Sequence, residues 1–234
     1  MTKLSVNVNK IATLRNSRGS NNPDLESVTA SIIRFGSDGI TIHPRPDERH
    51  IKYSDIFPIS NLTKDKVEFN IEGFPSEKFL KKVTEIKPDQ VTLVPDKPDT
   101  LTSLEGWDTI QNRDMLQKII QDLHSSDIRV AIFIHPNLDM LKGAFEINAD
   151  RIELFTGIYA TNKQTIDSYI DCSEYAHSLG MGVNAGHDLD LNNLPFFISK
   201  MPYLDEVSIG HALISESLFL GLEKTIKMYK EILA

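Results

Sequence analysis

The sequence predicts a (β/α)8 barrel built as one domain over residues 1–234, and three observations lead there. Short apolar, β-branched runs recur eight times, longer stretches with helical spacing separate them, and no Pro/Gly/Ser-rich linker divides the chain. Strands that alternate with helices pair in parallel through right-handed crossovers, and eight such units in 234 residues match the size of this barrel. A doubly wound open sheet is the competing architecture. It usually has fewer strands and a Gly-rich first turn, whereas "NVNKIATLRNSRG" (7–19) holds no G-x-G-x-x-G.

The first run, "LSVNVN" (4–9), alternates valine with asparagine and leads into a basic group of Lys10, Arg15 and Arg18. "PDLESVTASIIRFG" follows as a helix, with proline at its start, acids in its first turn and glycine at its end. Strand 2 is "GITIHP" (39–44), followed by a shorter helical stretch at 54–63. Strand 3, "VEFNIEG" (67–73), precedes "SEKFLKKVTEIKP", a helix capped by serine and stopped by proline. Strand 4, "QVTLVP" (90–95), opens a loop of about 95–107 that is long for a βα connection and is expected to act as an active-site lid. Trp107 in that loop is expected to pack against the barrel.

"DMLQKIIQDLHSSD" has apolar residues at three- and four-residue spacing and leads to strand 5, "RVAIFIHP" (129–136). A short helix at 137–148 precedes strand 6, "RIELFTG" (151–157). The helical "KQTIDSYIDCSEYAHSLG" carries Cys172, which reads as buried filler. Strand 7, "MGVNAGHD" (181–188), a short helix at 191–200, strand 8, "EVSIGHA" (206–212), and one long helix "LISESLFLGLEKTIKMYKEIL" complete the chain.

Composition narrows the function. With 25 Lys+Arg against 33 Asp+Glu the net charge is −8, so the chain as a whole has no attraction for nucleic acid or anionic membrane. A site for anions must be a local concentration of positive charge. One cysteine permits no internal disulfide, and the N-terminus lacks the apolar run of a signal peptide, so a cytoplasmic location is expected.

In a barrel of this kind the active site lies at the C-terminal ends of the strands, and polar residues collect there. Strand 1 ends in Asn7 and Asn9, strand 2 in His43 and Arg45, strand 3 in Asn70 and Glu72, and strand 5 in His135. Strand 6 carries Glu153, strand 7 Asn184 and His187, and strand 8 Gly210-His211; Thr102 lies in the loop after strand 4. Of seven histidines, His43, His50, His135, His187 and His211 fall on this rim, while His124 and His177 sit on helices. One such histidine is as readily a packing residue as a chemical one; five around one rim point to proton transfer near neutral pH. "NAGHD" and "SIGHA" place Gly beside His on strands 7 and 8, where these barrels commonly bind phosphate. Glu72 and Glu153, in apolar frames on opposite strands, are either structural acceptors or general bases with raised pKa. Arg18 and Arg45 are candidate phosphate clamps, each also open to a surface ion pair.

The motifs "VNVNKIATLRNSRG", "DGITIHPRPDERHI", "LVPDKPDTLTSLEG", "IELFTGIYA", "VNAGHD" and "SIGHALI" together resemble the pyridoxine 5′-phosphate synthase family, in order from Val6 to the last helix. The resemblance implies a (β/α)8 homo-octamer that uses neither a metal nor an organic cofactor. It implies condensation of 3-amino-2-oxopropyl phosphate with 1-deoxy-D-xylulose 5-phosphate to give pyridoxine 5′-phosphate, phosphate and water. Carried over by motif, His43 and Glu72 would accept protons, His187 would donate one, and Glu153 would stabilise the transition state. Asn7, Arg18, Gly210 and His211 would hold the aminoketone phosphate, and Arg45, His50 and Thr102 the deoxyxylulose phosphate. This chain has Asn9-Lys10 where many members have Asp-His, and Asp188 where the family usually has Gly; Asn9, Lys10 and Asp188 are taken as binding residues. His135 receives no role. Two rival functions fit the same barrel, a metal-dependent hydrolase and a non-catalytic sugar-phosphate binder. The hydrolase usually opens with H-x-H on strand 1, where this chain has Asn7-Val8-Asn9.

Overall fold

The computed structural model describes residues 1–96 and 103–234. Eight parallel strands close into a barrel in sequence order. In chain order the elements are β1 (Lys3–Asn7), α1 (Asn9–Asn16), α2 (Leu25–Arg34), β2 (Gly39–Ile42), α3 (Tyr53–Thr63), β3 (Glu68–Gly73), α4 (Glu77–Ile86) and β4 (Gln90–Leu93). The second half runs α5 (Arg113–His124), β5 (Arg129–Ile134), α6 (Leu138–Glu146), β6 (Arg151–Leu154), α7 (Gly157–Thr161), α8 (Ile166–Ser178), β7 (Gly182–Gly186), α9 (Leu194–Lys200), β8 (Glu206–Ile209), α10 (His211–Leu220) and α11 (Leu222–Leu233).

All eight predicted strands are present; β3 ends at Gly73 as its run does, and the others end earlier than their apolar runs. Three differences concern helices. The chain turns helical at Asn9, where the run "LSVNVN" suggests continued strand. A short extra helix, α7, follows strand 6. The long C-terminal helix is two: Gly221 at φ +84° breaks it, and the backbone there is one that glycine adopts without a Cβ clash.

The apolar core is a shell. Leu4, Val6, Ile40, Ile42, Ile71, Val91, Val130, Ile132, Ile152, Val207 and Ile209 point outward from the strands and are fully buried under the helices. The alternate positions face the barrel axis and are largely polar, with Ala131 and Phe133 on β5 as apolar exceptions. Ser5 Oγ lies 2.7 Å from Thr41 Oγ1, Thr92 Oγ1 donates to Asn70 Oδ1 at 3.1 Å, and Arg151 Nη1 donates to Asn184 Oδ1 at 3.2 Å. Barrels of this type are commonly filled by branched aliphatic side chains. The polar–apolar alternation of "EFNIEG", unusual in a parallel strand, is the sequence signature of this polar interior. Trp107 is buried and stacks on Phe74 at 6.1 Å, and Cys172 is buried as a free thiol. Among the described residues, no helix is long and apolar enough to cross a membrane.

Candidate active site

The C-terminal ends of the strands surround a cavity of about 620 Å³. Its floor and walls carry Asn7, Asn9, Lys10, His43, Arg45, His50, Glu72, Glu153, His187, Asp188, Gly210 and His211. A larger groove of about 840 Å³ opens at the other end of the barrel among Lys64, Lys66, Lys87, Asp65 and Asp89, and none of the predicted site residues lines it.

Strand 1 fastens the rim. Asn7 Oδ1 accepts from the backbone N–H of Asn9 at 3.0 Å, and Asn9 Oδ1 accepts from that of His43 at 3.0 Å. The two amides thus couple the end of β1 to the end of β2. Helix α1 braces the loop after β2. Buried Arg15 grips Asp55 with two bonds of 2.8 Å, and Asn16 Nδ2 donates to the carbonyls of His50 and Arg49 at 2.7 and 3.2 Å. Arg15 therefore takes no part in an open basic cluster: its guanidinium is spent on positioning the segment that carries His50.

The titratable groups at the centre hold unusual charges. His43 is buried, and its Nδ1 lies 3.7 Å from Glu72 Oε2. Burial, then Arg45 and the neighbouring His50 and His187, hold His43 well below its ordinary pKa. Burial, then the carboxylates of Glu153 and Asp96, push Glu72 well above its own. Both shifts favour the uncharged forms, a neutral imidazole beside a neutral carboxyl, over an ion pair. Burial likewise raises Glu153 to about 7, opposed by the hydrogen bond from Thr92 Oγ1 at 3.2 Å and by His187. Acid and base forms of this group coexist near pH 7, the condition under which proton transfer is most efficient.

Two corners of the cavity favour anions. At one, Gly210 caps α10 and His211 begins it, so the positive end of that helix faces the cavity beside Asn7. A Cβ on Gly210 would stand 3.0 Å from the Asn7 side chain, so glycine keeps this corner open. At the other, Lys10, Arg45, Arg49 and His50 meet. Burial, then Arg45, Lys10 and Arg49, lower His50 to about 4. Its Nδ1 accepts from the backbone N–H of Ile51 at 3.0 Å, which leaves the ring proton on Nε2. Arg45 Nη2 and Ser103 Oγ both donate to Asp96 Oδ2 at 2.6 Å.

Of the residues taken from the sequence, Arg18 is not on this wall; it is exposed beyond the end of α1. Thr102 and the rest of 97–102, the middle of the 95–107 loop, lie outside the described residues. Asp188 reaches the cavity, but its carboxylate turns onto His187. His135 packs its ring edge against Phe155 at 5.4 Å and approaches Glu105 at 3.6 Å. Sequence reasoning missed Arg49, which sits in "HPRPDERH" one residue before His50 and carries the charge expected of a phosphate clamp.

Proton-carrying groups between two anion-favouring corners, on the C-terminal face of a (β/α)8 barrel, define an enzyme class: acid–base catalysts acting on phosphorylated small molecules. Within that class the chain belongs to the family described as pyridoxal phosphate biosynthesis protein PdxJ, whose family model matches residues 4–234. Its relatives include proteins named pyridoxine 5′-phosphate synthase from Porphyromonas gingivalis, 52% identical with 100% of both chains covered, and Flavobacterium johnsoniae, 54% identical with 98% of both covered. Among solved structures it is similar to a mutant tryptophan synthase α-subunit from Pyrococcus furiosus, with TM-score 0.66, 13% identity and 99% and 97% of the two chains covered. It is also similar to phosphoribosyl anthranilate isomerase from Thermotoga maritima, with TM-score 0.63, 15% identity and 99% and 98% covered. At those identities the structural likenesses bear on the fold alone.

Proposed function

We propose that this chain is a pyridoxine 5′-phosphate synthase, condensing 3-amino-2-oxopropyl phosphate with 1-deoxy-D-xylulose 5-phosphate to pyridoxine 5′-phosphate, phosphate and water. The observation that carries the reading is the buried His43–Glu72 pair, set between two corners that each suit a phosphate. Amine attack on a ketone, dehydration, phosphate elimination and aromatisation each move protons, and a buried imidazole beside an acid whose pKa is raised suits transfer in both directions. Holding each substrate by its phosphate places the amine and carbonyl carbons near one another, which removes much of the entropic barrier.

In this reading the aminoketone phosphate lies at Asn7, Gly210 and His211, and the deoxyxylulose phosphate at Arg45 and His50, with Lys10 in that second corner and Asn9 beside it. His43 accepts protons. Glu72, whose pKa burial raises, accepts protons as well. His187 donates a proton, and Glu153 balances charge that develops in the transition state. The same reading carries the homo-octamer and the cytoplasmic location that the family resemblance implies; sedimentation of the purified protein checks the first. The decisive experiment supplies both substrates and follows pyridoxine 5′-phosphate. Product is expected, and its absence with the protein folded overturns the assignment.

A further inference from the structure

The family resemblance leaves Asp188 unexplained, since an acid beside a phosphate would repel it. The structure gives its carboxylate a different neighbour: Asp188 Oδ2 lies 2.8 Å from Nδ1 of His187. That contact is prepared on three sides. His187 stands at φ +59°, in the left-handed region that non-glycine residues avoid. This conformation turns the chain sharply at the end of β7, and the strain is of the kind retained where geometry matters. Asn193 holds the other side of the loop. Its Nδ2 donates to the Asp188 carbonyl at 2.9 Å, while Asp190 Oδ1 accepts from the backbone N–H groups of Asn192 and Asn193 at 2.8 and 2.7 Å. Gly157 supplies room: a Cβ there would stand 2.8 Å from Asp188 Oδ2 and 2.3 Å from the Phe155 ring. That same ring meets His187 edge to face at 5.7 Å.

We infer that Asp188 is a positioning residue, which fixes the tautomer and orientation of His187 so that Nε2 is the nitrogen used for proton transfer. The inference rests on the reading above, in which His187 donates a proton. A carboxylate has no proton to give, so Nδ1 must donate. The hydrogen bond from His187 is the largest influence on Asp188 and holds its carboxyl below the usual range, in keeping with a charged acceptor. Orienting an imidazole through its second nitrogen is a general device of acid–base and metal sites. Titratable groups near His187 include Glu153 and His43 across the cavity and, behind Asp188, His211.

The test combines nitrogen NMR with kinetics. In the unaltered protein the His187 imidazole, assigned by the signals lost in His187→Gln, should in its neutral form carry its proton on Nδ1. In Asp188→Asn, whose amide offers either a donor or an acceptor, both tautomers should appear. Asp188→Ala should lower kcat roughly 10- to 100-fold, with KM for each substrate within about threefold. A His187 proton found on Nε2 in the unaltered protein overturns the inference. So does an unchanged kcat, or a loss confined to KM, in Asp188→Ala. The NMR result is independent of turnover, so an inactive wild-type protein would defeat the proposed function while leaving this contact separately measured.

Discussion

The two ends of the barrel interior use the same kinds of residue to opposite effect. At the N-terminal end Glu68 is surrounded by cations: Arg129 donates to it closely, Lys3 stands at 3.3 Å and Arg151 at 3.6 Å. Arg129 Nε also donates to Gln90 at 3.0 Å. Glu68 and the cations around it are matched, the buried Glu206 beside them being the exception, and the network acts as a strut across β1, β3, β4, β5, β6 and β7. At the C-terminal end burial outweighs the pull of Arg45 on Glu72, and Glu72 and Glu153 face His43, Thr92 and each other. A carboxylate with matched cations stays ionised and structural, whereas one buried without them keeps its proton and can trade it. A matched partner marks scaffold, and an acid without one becomes chemistry where, unlike Glu206, it also lines the cavity.

The contrast can be broken most directly at the C-terminal end. His43→Ala should reduce kcat by roughly 10²- to 10⁴-fold with modest change in substrate binding; an unaltered rate in a steady-state assay removes His43 from its role. At the other end Arg129→Met should lower stability by about 1–3 kcal/mol, the range for a hydrogen-bonded charge left without its partner. Urea titration checks this, and turnover per folded molecule should be retained. If that turnover falls as steeply as in His43→Ala, the division between the ends is wrong. Arg15→Lys tests the brace beneath the site. Lysine cannot reproduce the two-bond grip on Asp55, so KM for 1-deoxy-D-xylulose 5-phosphate should rise severalfold with little change in kcat.

The smallest effect is again at the N-terminal end. Glu206 is buried at the start of β8, and among the described residues neither of its carboxylate oxygens has a hydrogen-bond partner. Burial, then Glu68, raises it from 4.5 to about 8. The folded protein therefore keeps a proton that the unfolded chain has released above about pH 4.5, and stability falls as pH rises towards 8. His50 acts the other way, costing stability as pH drops from 6.5 towards 4. Between pH 6.5 and 8 only the raised acids, Glu206 and Glu153, contribute to the slope among these three groups. Glu206→Gln should flatten the fall in melting temperature across that window, and an unchanged slope would place the proton elsewhere.

Much of this was legible in the sequence because parallel barrels repeat one pattern and put chemistry at one place on each repeat. Eight strands could be counted, and the C-terminal position of each named its rim residue. What escaped depends on distance. Arg15 reads as part of a basic cluster until Asp55, forty residues on, is seen to claim it. Helix α1 was hidden because Val8 continues the strand pattern and no capping side chain marks Asn9. Asp188 looked misplaced beside a phosphate because its direction is set by Gly157 and Asn193, on other parts of the chain.

The shell-like core also bears on how the molecule takes up heat. Unfolding hydrates the apolar shell, which raises heat capacity, but it also wets the amides, hydroxyls and ions that face the axis, which lowers it. A barrel filled with branched aliphatics lacks that second contribution. This chain should therefore show a smaller heat-capacity increment per residue and a flatter stability curve, losing its fold more gradually on either side of its most stable temperature.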